Sequence, residues 1–403
     1  MKICMITTRH TLDDARIFHK EAKSLARAGH EVILLMTCNN KYEFTAFDGK
    51  PILRGSPPNG EAVRSGIRVM GRPKRIGLWG KFLSYLELAQ LAAEQDADVY
   101  HAHEPDLSLA VATRAKRLSQ RRARRALVIH DMHEYPPGAT YDSLGGMLKL
   151  PALLGHVLWD KLMMSSVDFV ITANAIVRGY SLLLSPTTGV EVLYNGPSLK
   201  LFTQGKPRKW DGNGERLILC HEGSLPFNRG LREMVEAVDR LRDRVCLRIV
   251  GDVFGREREW LNRRIGERNL EDTVTCTGWL PYKQVGDAVA QCDIGLILFR
   301  EGMQNRLAGP PNKLFNYMNA GLPVLGVDFP EIRRIVSEEK CGVMIHDQTV
   351  ESITSAILKL IENWSEIDKM GEAGRTAIRE RYSWEQMEKR LLSVYEGLSR
   401  TLA

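Results

Sequence analysis

The chain lacks the features that would place it in a special class. Its seven cysteines (Cys4, Cys38, Cys220, Cys246, Cys276, Cys292 and Cys341) stand singly, without paired metal-ligand spacing. They read as reduced core thiols of a cytosolic protein, not as a disulfide framework or a structural zinc site. No apolar run approaches the roughly 20 residues that cross a bilayer, and Met1–Thr7 has the pattern of a strand, so neither export nor anchoring is expected. The first strand is not followed by Gly-x-Gly-x-x-Gly, which close approach to a dinucleotide pyrophosphate requires, so an NAD enzyme is not expected. His-Glu-x-x-His is missing too, and no metal is expected. No short repeat and no low-complexity segment occurs.

What is present describes an ordinary folded chain. At 403 residues, 44% apolar and 26% charged, it can bury two or three domains. A formal charge of +7 favours an anionic partner, for which nucleotide, acidic lipid and nucleic acid all qualify. Apolar runs at Lys2–Thr7, Glu31–Thr37, Asp98–His101, Ala126–His130, Val167–Thr172 and Val190–Leu193 alternate with helical spacing at Ala15–Ala28 and Leu107–Leu118. After Tyr194–Gly214, rich in Gly, Pro, Lys and Asn, the alternation restarts with strands at Arg216–His221, Val245–Val250, Val274–Thr277 and Asp293–Leu298, and helices at Leu231–Leu241 and Glu257–Arg268. The expected fold is α/β, with two Rossmann-like domains facing each other across a cleft that is the default ligand site. The expected boundaries are 1–196, a linker at 197–214, a second domain at 215–381, and a final helix at 382–403.

The most informative stretch runs from Arg300 to Pro323. Arg300–Arg306 reads as a loop. Pro310-Pro311 then opens a short helix that Gly321 and Pro323 close. Lys313 stands in its first turn, where the helix dipole disfavours a cation by about 0.3–1 kcal/mol. No acid occurs between Glu301 and Asp328 to offset it. A phosphate would resolve the conflict, with Asn312, Lys313 and Asn316 close together on the helix surface; a lysine pointing into water is the bland alternative. In His221–Gly230, Asn228 reads as an N-cap with Arg229 at the first helical position, bridged to Glu233 or holding an anion.

Other candidates lie in the first half. Arg9, His10 and Arg16 follow the first strand, where the loop either faces the crevice of an open sheet or is a solvated cap using Asp13 or Asp14. His101-Ala102-His103-Glu104 and His130-Asp131-Met132-His133-Glu134 end two strands, and Pro136-Pro137-Gly138 breaks the chain into a loop. Arg114, Lys116, Arg117, Arg121, Arg122, Arg124 and Arg125 form a basic run, and Arg68, Arg72, Lys74 and Arg75 a second group. A solvated helix face or an anionic lipid surface explains them, the latter supported by the apolar face of Leu144–Met164. Interleaved aromatics are lacking, and nucleic acid is not an expected partner.

Pro311-Asn312-Lys313-Leu314-Phe315-Asn316-Tyr317-Met318, followed by Ala320-Gly321-Leu322-Pro323-Val324, resembles the donor-site helix of the family 4 glycosyltransferases, retaining enzymes of the GT-B fold. The resemblance implies a final helix that crosses back to the first domain, and transfer of a sugar from a nucleotide diphosphate, UDP-sugar foremost, with no cofactor or metal. The acceptor would be a glycan, glycolipid or small molecule, and the setting cytoplasmic or on the inner face of a membrane. By the same resemblance Gly223, Ser224 and Arg229-Gly230 correspond to the diphosphate loop, Gly278-Trp279-Leu280 to the turn against the base, and His133-Glu134 to the pair facing the sugar. Arg229, Lys313, His133 and Glu134 would carry catalysis. Glu301, Asn305, Asn312 and Asn316 would complete donor binding. Three positions depart from the family: Ser224 replaces a cation, and Asn316 and Ala308 replace glutamates. A sugar-nucleotide-binding protein without turnover and a basic lipid-surface adaptor are the alternatives from other classes.

Overall fold

The computed structural model describes residues 1–403 except 47–48, 105–106, 122–124, 201, 203–207, 209, 211–213, 226–228, 308 and 403, and except the side chains of 282 and 283. The chain forms two compact units: Met1–Tyr194 together with Met387–Ala403, and Asn195–Gln386.

The first unit is built on β1 (Lys2–Thr7), β2 (Glu31–Cys38), β3 (Glu43–Thr45), β4 (Pro51–Arg54), β5 (Ala62–Arg64), β6 (Ile67–Pro73), β7 (Val99–His103), β8 (Leu127–Met132), β9 (Phe169–Thr172) and β10 (Gly189–Val192). Ile3–Ile6 and Ile33–Met36 are buried on both faces, as befits central parallel strands under helices on either side. The sheet order is β10-β9-β8-β7-β1-β2-β6-β5, with only β5 antiparallel, and β3–β4 form a separate hairpin. From β1 the chain builds outward to β6, then returns to place β7 on the other side of β1. The loops after β1 and β7 therefore flank a topological switch point, where ligands of open α/β sheets bind.

Several local expectations are revised. The helix after β1 is a π-helix, Ala15–Ala22, running into Lys23–Arg27; Asp14 is its cap, accepting from the backbone N–H of Arg16 and Ile17. Pro136-Pro137-Gly138 starts a helix, Pro136–Ser143, instead of a loop, since first-turn prolines forfeit no helical hydrogen bond. Helix Gly77–Glu94 was not foreseen. The final helix, Trp384–Leu402, belongs from Met387 onward to the first unit: Tyr395 Oη lies 2.9 Å from His101 Nδ1, and Arg27 donates to Glu388 at 2.6 Å. Cys276 is exposed and Cys246 half-buried, unlike the core position expected of them.

The second unit holds β11 (Leu217–Glu222), β12 (Val245–Val250), β13 (Val274–Cys276), β14 (Ile294–Ile297), β15 (Val324–Val327) and β16 (Gly342–Ile345), all parallel, in the order β13-β12-β11-β14-β15-β16. Within it, Asn195–Lys200 is strapped to the start of the last helix. Trp384 N–H donates to Pro197 O, and Glu385 accepts from Ser198 and from Leu199 N–H.

Candidate functional site

In the second unit the site assembles where β11 ends against helix Asn312–Ala320. Tyr317, wholly buried, pins the helix there: its hydroxyl accepts from Glu222 N–H at 2.8 Å and lies 3.1 Å from Cys220 O. One turn back, Lys313 Nζ donates to His221 Nε2 at 2.9 Å. Burial, with Lys313 and Arg229 nearby, holds His221 well below the usual imidazole range, so it is neutral and accepts. Burial also pushes Lys313 down to about 7, Arg229 adding to the fall and Glu222 opposing it. Asn316 Nδ2 donates to both oxygens of Glu222 at 3.0 Å. Burial raises the Glu222 carboxyl, against the pull of Asn316 and Lys313.

The nearby expectations fare variously. The helix after β11 begins at Leu231, so Arg229 precedes it instead of occupying its first turn; Gly230 intervenes at φ 69°, where a Cβ would meet Leu298 Cβ at 2.8 Å. Arg229 stacks over Phe299 at 4.4 Å, and Glu233, its expected partner, lies 3.8 Å from Arg300. Asn228 and Ala308 lie outside the described residues. Asn312 Oδ1 accepts from Asn195 Nδ2 at 2.9 Å. The expected loop Arg300–Arg306 contains a short helix, Met303–Leu307, in which Glu301 pairs with Arg306 and Asn305 donates to Arg300 O. Gly223 has φ 92°, and Gly251 packs so tightly on it that a Cβ there would meet Gly223 O at 2.4 Å. Ser224 and Trp279 are exposed, and Leu280 half-buried.

In the first unit, the loops at the switch point bring together a chain of acids and imidazoles. His10 Nδ1 contacts Asp14 at 3.0 Å and His133 Nε2 contacts Asp131 at 2.9 Å; their other nitrogens approach Glu104 at 3.7 and 3.2 Å. Glu104 holds a φ of 73°, a strained conformation for a non-glycine residue. Burial would pull His10 down, but Asp14 and Glu104 outweigh it and hold it up at about 10. His10, Glu104 and His133 present donor atoms within 4.8 Å of one another, a set that could hold a cation. Helical spacing rules could not find it, because the three residues come from three separate strand ends. Glu134 beside them is exposed.

Arg16, expected at a substrate, is instead a buried brace. It donates to both oxygens of Asp131 at 2.9 and 3.0 Å and to Leu193 O at 2.7 Å. Glu21, 2.9 Å from Arg16, is raised well above the carboxylate range by burial and by Asp131. His103 and His130, buried, are pushed down to about 4 by desolvation and stay neutral.

Two family models match the chain: "Glycosyl transferase 4-like domain" over residues 15–196 and "Glycosyl transferases group 1" over residues 216–363. The chain belongs to the GT-B glycosyltransferases of the family 4 type. This glycosyltransferase is 23% identical over 360 residues to a GDP-mannose-dependent α-(1-6)-phosphatidylinositol monomannoside mannosyltransferase of Mycobacterium tuberculosis, covering 86% of this chain and 88% of that protein. It is 24% identical to an uncharacterized glycosyltransferase of Methanocaldococcus jannaschii, covering 59% of this chain and spanning 60% of that protein's length. Sucrose-phosphate synthase from Thermosynechococcus elongatus shares its fold with a TM-score of 0.72 at 16% identity, over 99% of both chains. Anabaena HepE in complex with UDP does so with a TM-score of 0.71 at 13% identity, over 98% of this chain and 100% of that one.

Of the expected lipid-facing features, the basic run of the glycosyltransferase is partly engaged: Lys116 pairs with Asp168 and Arg114 stacks on Tyr85, while Arg122 and Arg124 lie outside the described residues. In the second basic group Arg68 pairs with Glu61 and Arg75 with Glu87. The apolar face stands in solvent, with Met147, Leu148, Leu150, Leu154, Leu158 and Leu162 each more than half exposed. Ile76, Leu78 and Trp79 form a second such face, at the start of helix Gly77–Glu94. Among the described residues no helix is long and apolar enough to cross a membrane. Sequence reasoning missed His221 and Glu222 as site residues; the only available signal was their place at the end of a strand.

Proposed function

We propose that the protein transfers a glycosyl group from a nucleoside diphosphate sugar, UDP-sugar foremost, to an acceptor hydroxyl with retention, in the making of a surface glycan or glycolipid. The observation that carries this reading is the Lys313–His221 and Asn316–Glu222 quartet beside Arg229. Lys313 is held by a neutral acceptor, with its charge poised for an anion, and Arg229 adds a second cation. Both would neutralise the charge that develops on the leaving diphosphate, the role a metal takes in other transferases, so this step needs none. No cofactor takes part. The diphosphate oxygen would take the acceptor proton as the sugar passes through an oxocarbenium-like state, without a protein nucleophile. Gly223, Ser224, Trp279, Leu280, Glu301, Asn305 and Asn312 would line the remainder of the donor site. His133 and Glu134 would orient sugar or acceptor hydroxyls.

The departure at Asn316 finds a counterpart in Glu222. A carboxylate is present after all, supplied by β11 and presented by Asn316, and we assign the ribose contact to the pair. The two exposed apolar faces and the excess of basic residues support a peripheral place on an anionic membrane, cytoplasmic side.

Calorimetry without added metal tests the reading: UDP, GDP and ADP titrated into the wild type, Lys313→Ala and Arg229→Ala. One diphosphate is expected to bind, each substitution weakening it by more than about 1.4 kcal/mol, a tenfold change. Binding by none of the three, or indifference to both substitutions, would remove the support. Binding without sugar release from UDP-glucose or GDP-mannose in the presence of acceptor extracts would leave the binding-protein alternative.

A further inference from the structure

A cavity of about 390 Å³ opens at the C-terminal ends of β1 and β2 in the first unit, lined by Thr8, Arg9, Thr37, Lys74, Arg75, Lys81, Ser84 and Leu107. Four of these eight side chains are cationic and none is acidic. Arg75 is already paired with Glu87, but among the described residues Lys74 and Lys81 make no ion pair. Gathering such cations around one cavity is unfavourable unless an anion enters it. The floor carries a second, independent sign. Ser84 is 3% exposed, yet its hydroxyl has no hydrogen-bond partner among the described residues. A buried hydroxyl left in this way is destabilising, and here it belongs to a residue that lines a cationic cavity. The hydroxyls of Thr8 and Thr37 differ, being engaged with Ser108 Oγ and Thr8 O.

We propose that this cavity binds the phosphoryl group of a phosphate-bearing molecule, which makes the acceptor an anionic phosphorylated compound and not a neutral sugar. Lys74, Lys81 and Arg9 contact the phosphate oxygens from the rim, and Ser84 donates from the floor. The assignment of this molecule as the acceptor rests on the transferase reading; the anion site does not. Exposed Ile76, Leu78 and Trp79 follow Lys74 and Arg75 directly in the chain, so the phosphate is either a lipid headgroup or that of a soluble metabolite.

The test uses the full chain with saturating UDP, which keeps probe anions off the second unit. Glycerol phosphate is titrated into the wild type, Ser84→Ala and the Lys74→Gln/Lys81→Gln double variant. Saturable binding is expected, weakened at least tenfold in the double variant and measurably in Ser84→Ala, with UDP affinity unchanged in both. No binding of glycerol phosphate, or equal binding by the double variant, overturns the proposal. Loss of UDP affinity in the double variant would show misfolding; chemical-shift mapping of glycerol phosphate on the wild type then decides, and shifts away from Ser84 overturn the proposal. Phosphatidylcholine vesicles with and without phosphatidic acid separate the sources. Vesicle binding competed by glycerol phosphate identifies a lipid headgroup, and phosphate binding with no vesicle binding identifies a soluble acceptor. Vesicle binding that glycerol phosphate does not compete, and that the double variant retains, belongs to the exposed apolar faces and leaves the cavity to a soluble phosphorylated acceptor.

Discussion

Lys313 shows how far a single residue can be read before folding is known. Its misplaced charge was visible in the sequence, because the dipole and the lack of nearby acids are local facts. Its partner, neutral His221, and the resulting fall to about 7 were not visible, because β11 lies some ninety positions away in the chain. A diphosphate favours the charged amine and raises its pKa on binding. The free lysine loses its proton above about pH 7, so diphosphate affinity is expected to fall as pH rises from 7 to 9, by at most about tenfold per unit. Calorimetry in Lys313→Arg should give a flat profile over that interval, since a guanidinium stays charged. Glu222 supports a second expectation. Glu222→Ala should weaken UDP by about 1.5–3 kcal/mol, the worth of a hydrogen bond to a charged group, while leaving pyrophosphate binding nearly unchanged; equal losses for both ligands would refute the ribose assignment.

At the scale of elements, the periodic segments were legible and the irregular ones were not. β12 runs over Val245–Val250 as read from its apolar run, and helix Asn312–Ala320 stands where its prolines and Gly321 place it. The β3–β4 hairpin and the antiparallel β5 escaped notice, being short, half-exposed edge elements without a clear alternation. The loop into the helix after β11 is held by Gly230, whose positive φ and contact with Leu298 exclude a side chain. Gly230→Ala should cost about 1–3 kcal/mol, read as a lowered denaturant midpoint, and should weaken diphosphate binding by displacing Arg229. Tyr317→Phe removes the hydroxyl that pins helix Asn312–Ala320 to Glu222 N–H. A loss of about 1–3 kcal/mol is expected from the unsatisfied backbone groups, and an unchanged midpoint would show the contact to be dispensable.

For the whole molecule, the two exposed apolar faces make the consequence of the membrane proposal measurable. Trp79→Asp and Leu154→Asp should each reduce cosedimentation with anionic vesicles severalfold, while high salt alone should reduce it only in part, because the apolar contribution is not screened. Salt reversal as complete as that of a purely basic surface would count against insertion of either face. The alternation of apolar runs and helical spacing determined by itself that the chain makes parallel α/β units, since those patterns are local and periodic. The bounds of helix Asn312–Ala320 were readable for the same reason: its proline and glycine positions lie within one short stretch. Only the tertiary structure decided that Arg16 is a brace on Asp131, that Glu222 meets Asn316, that His10, Glu104 and His133 converge, and that Ser84 lines one cavity with Lys74 and Lys81. Each of these joins residues from different strands and helices, and sheet order, which no local pattern encodes, sets which of them meet.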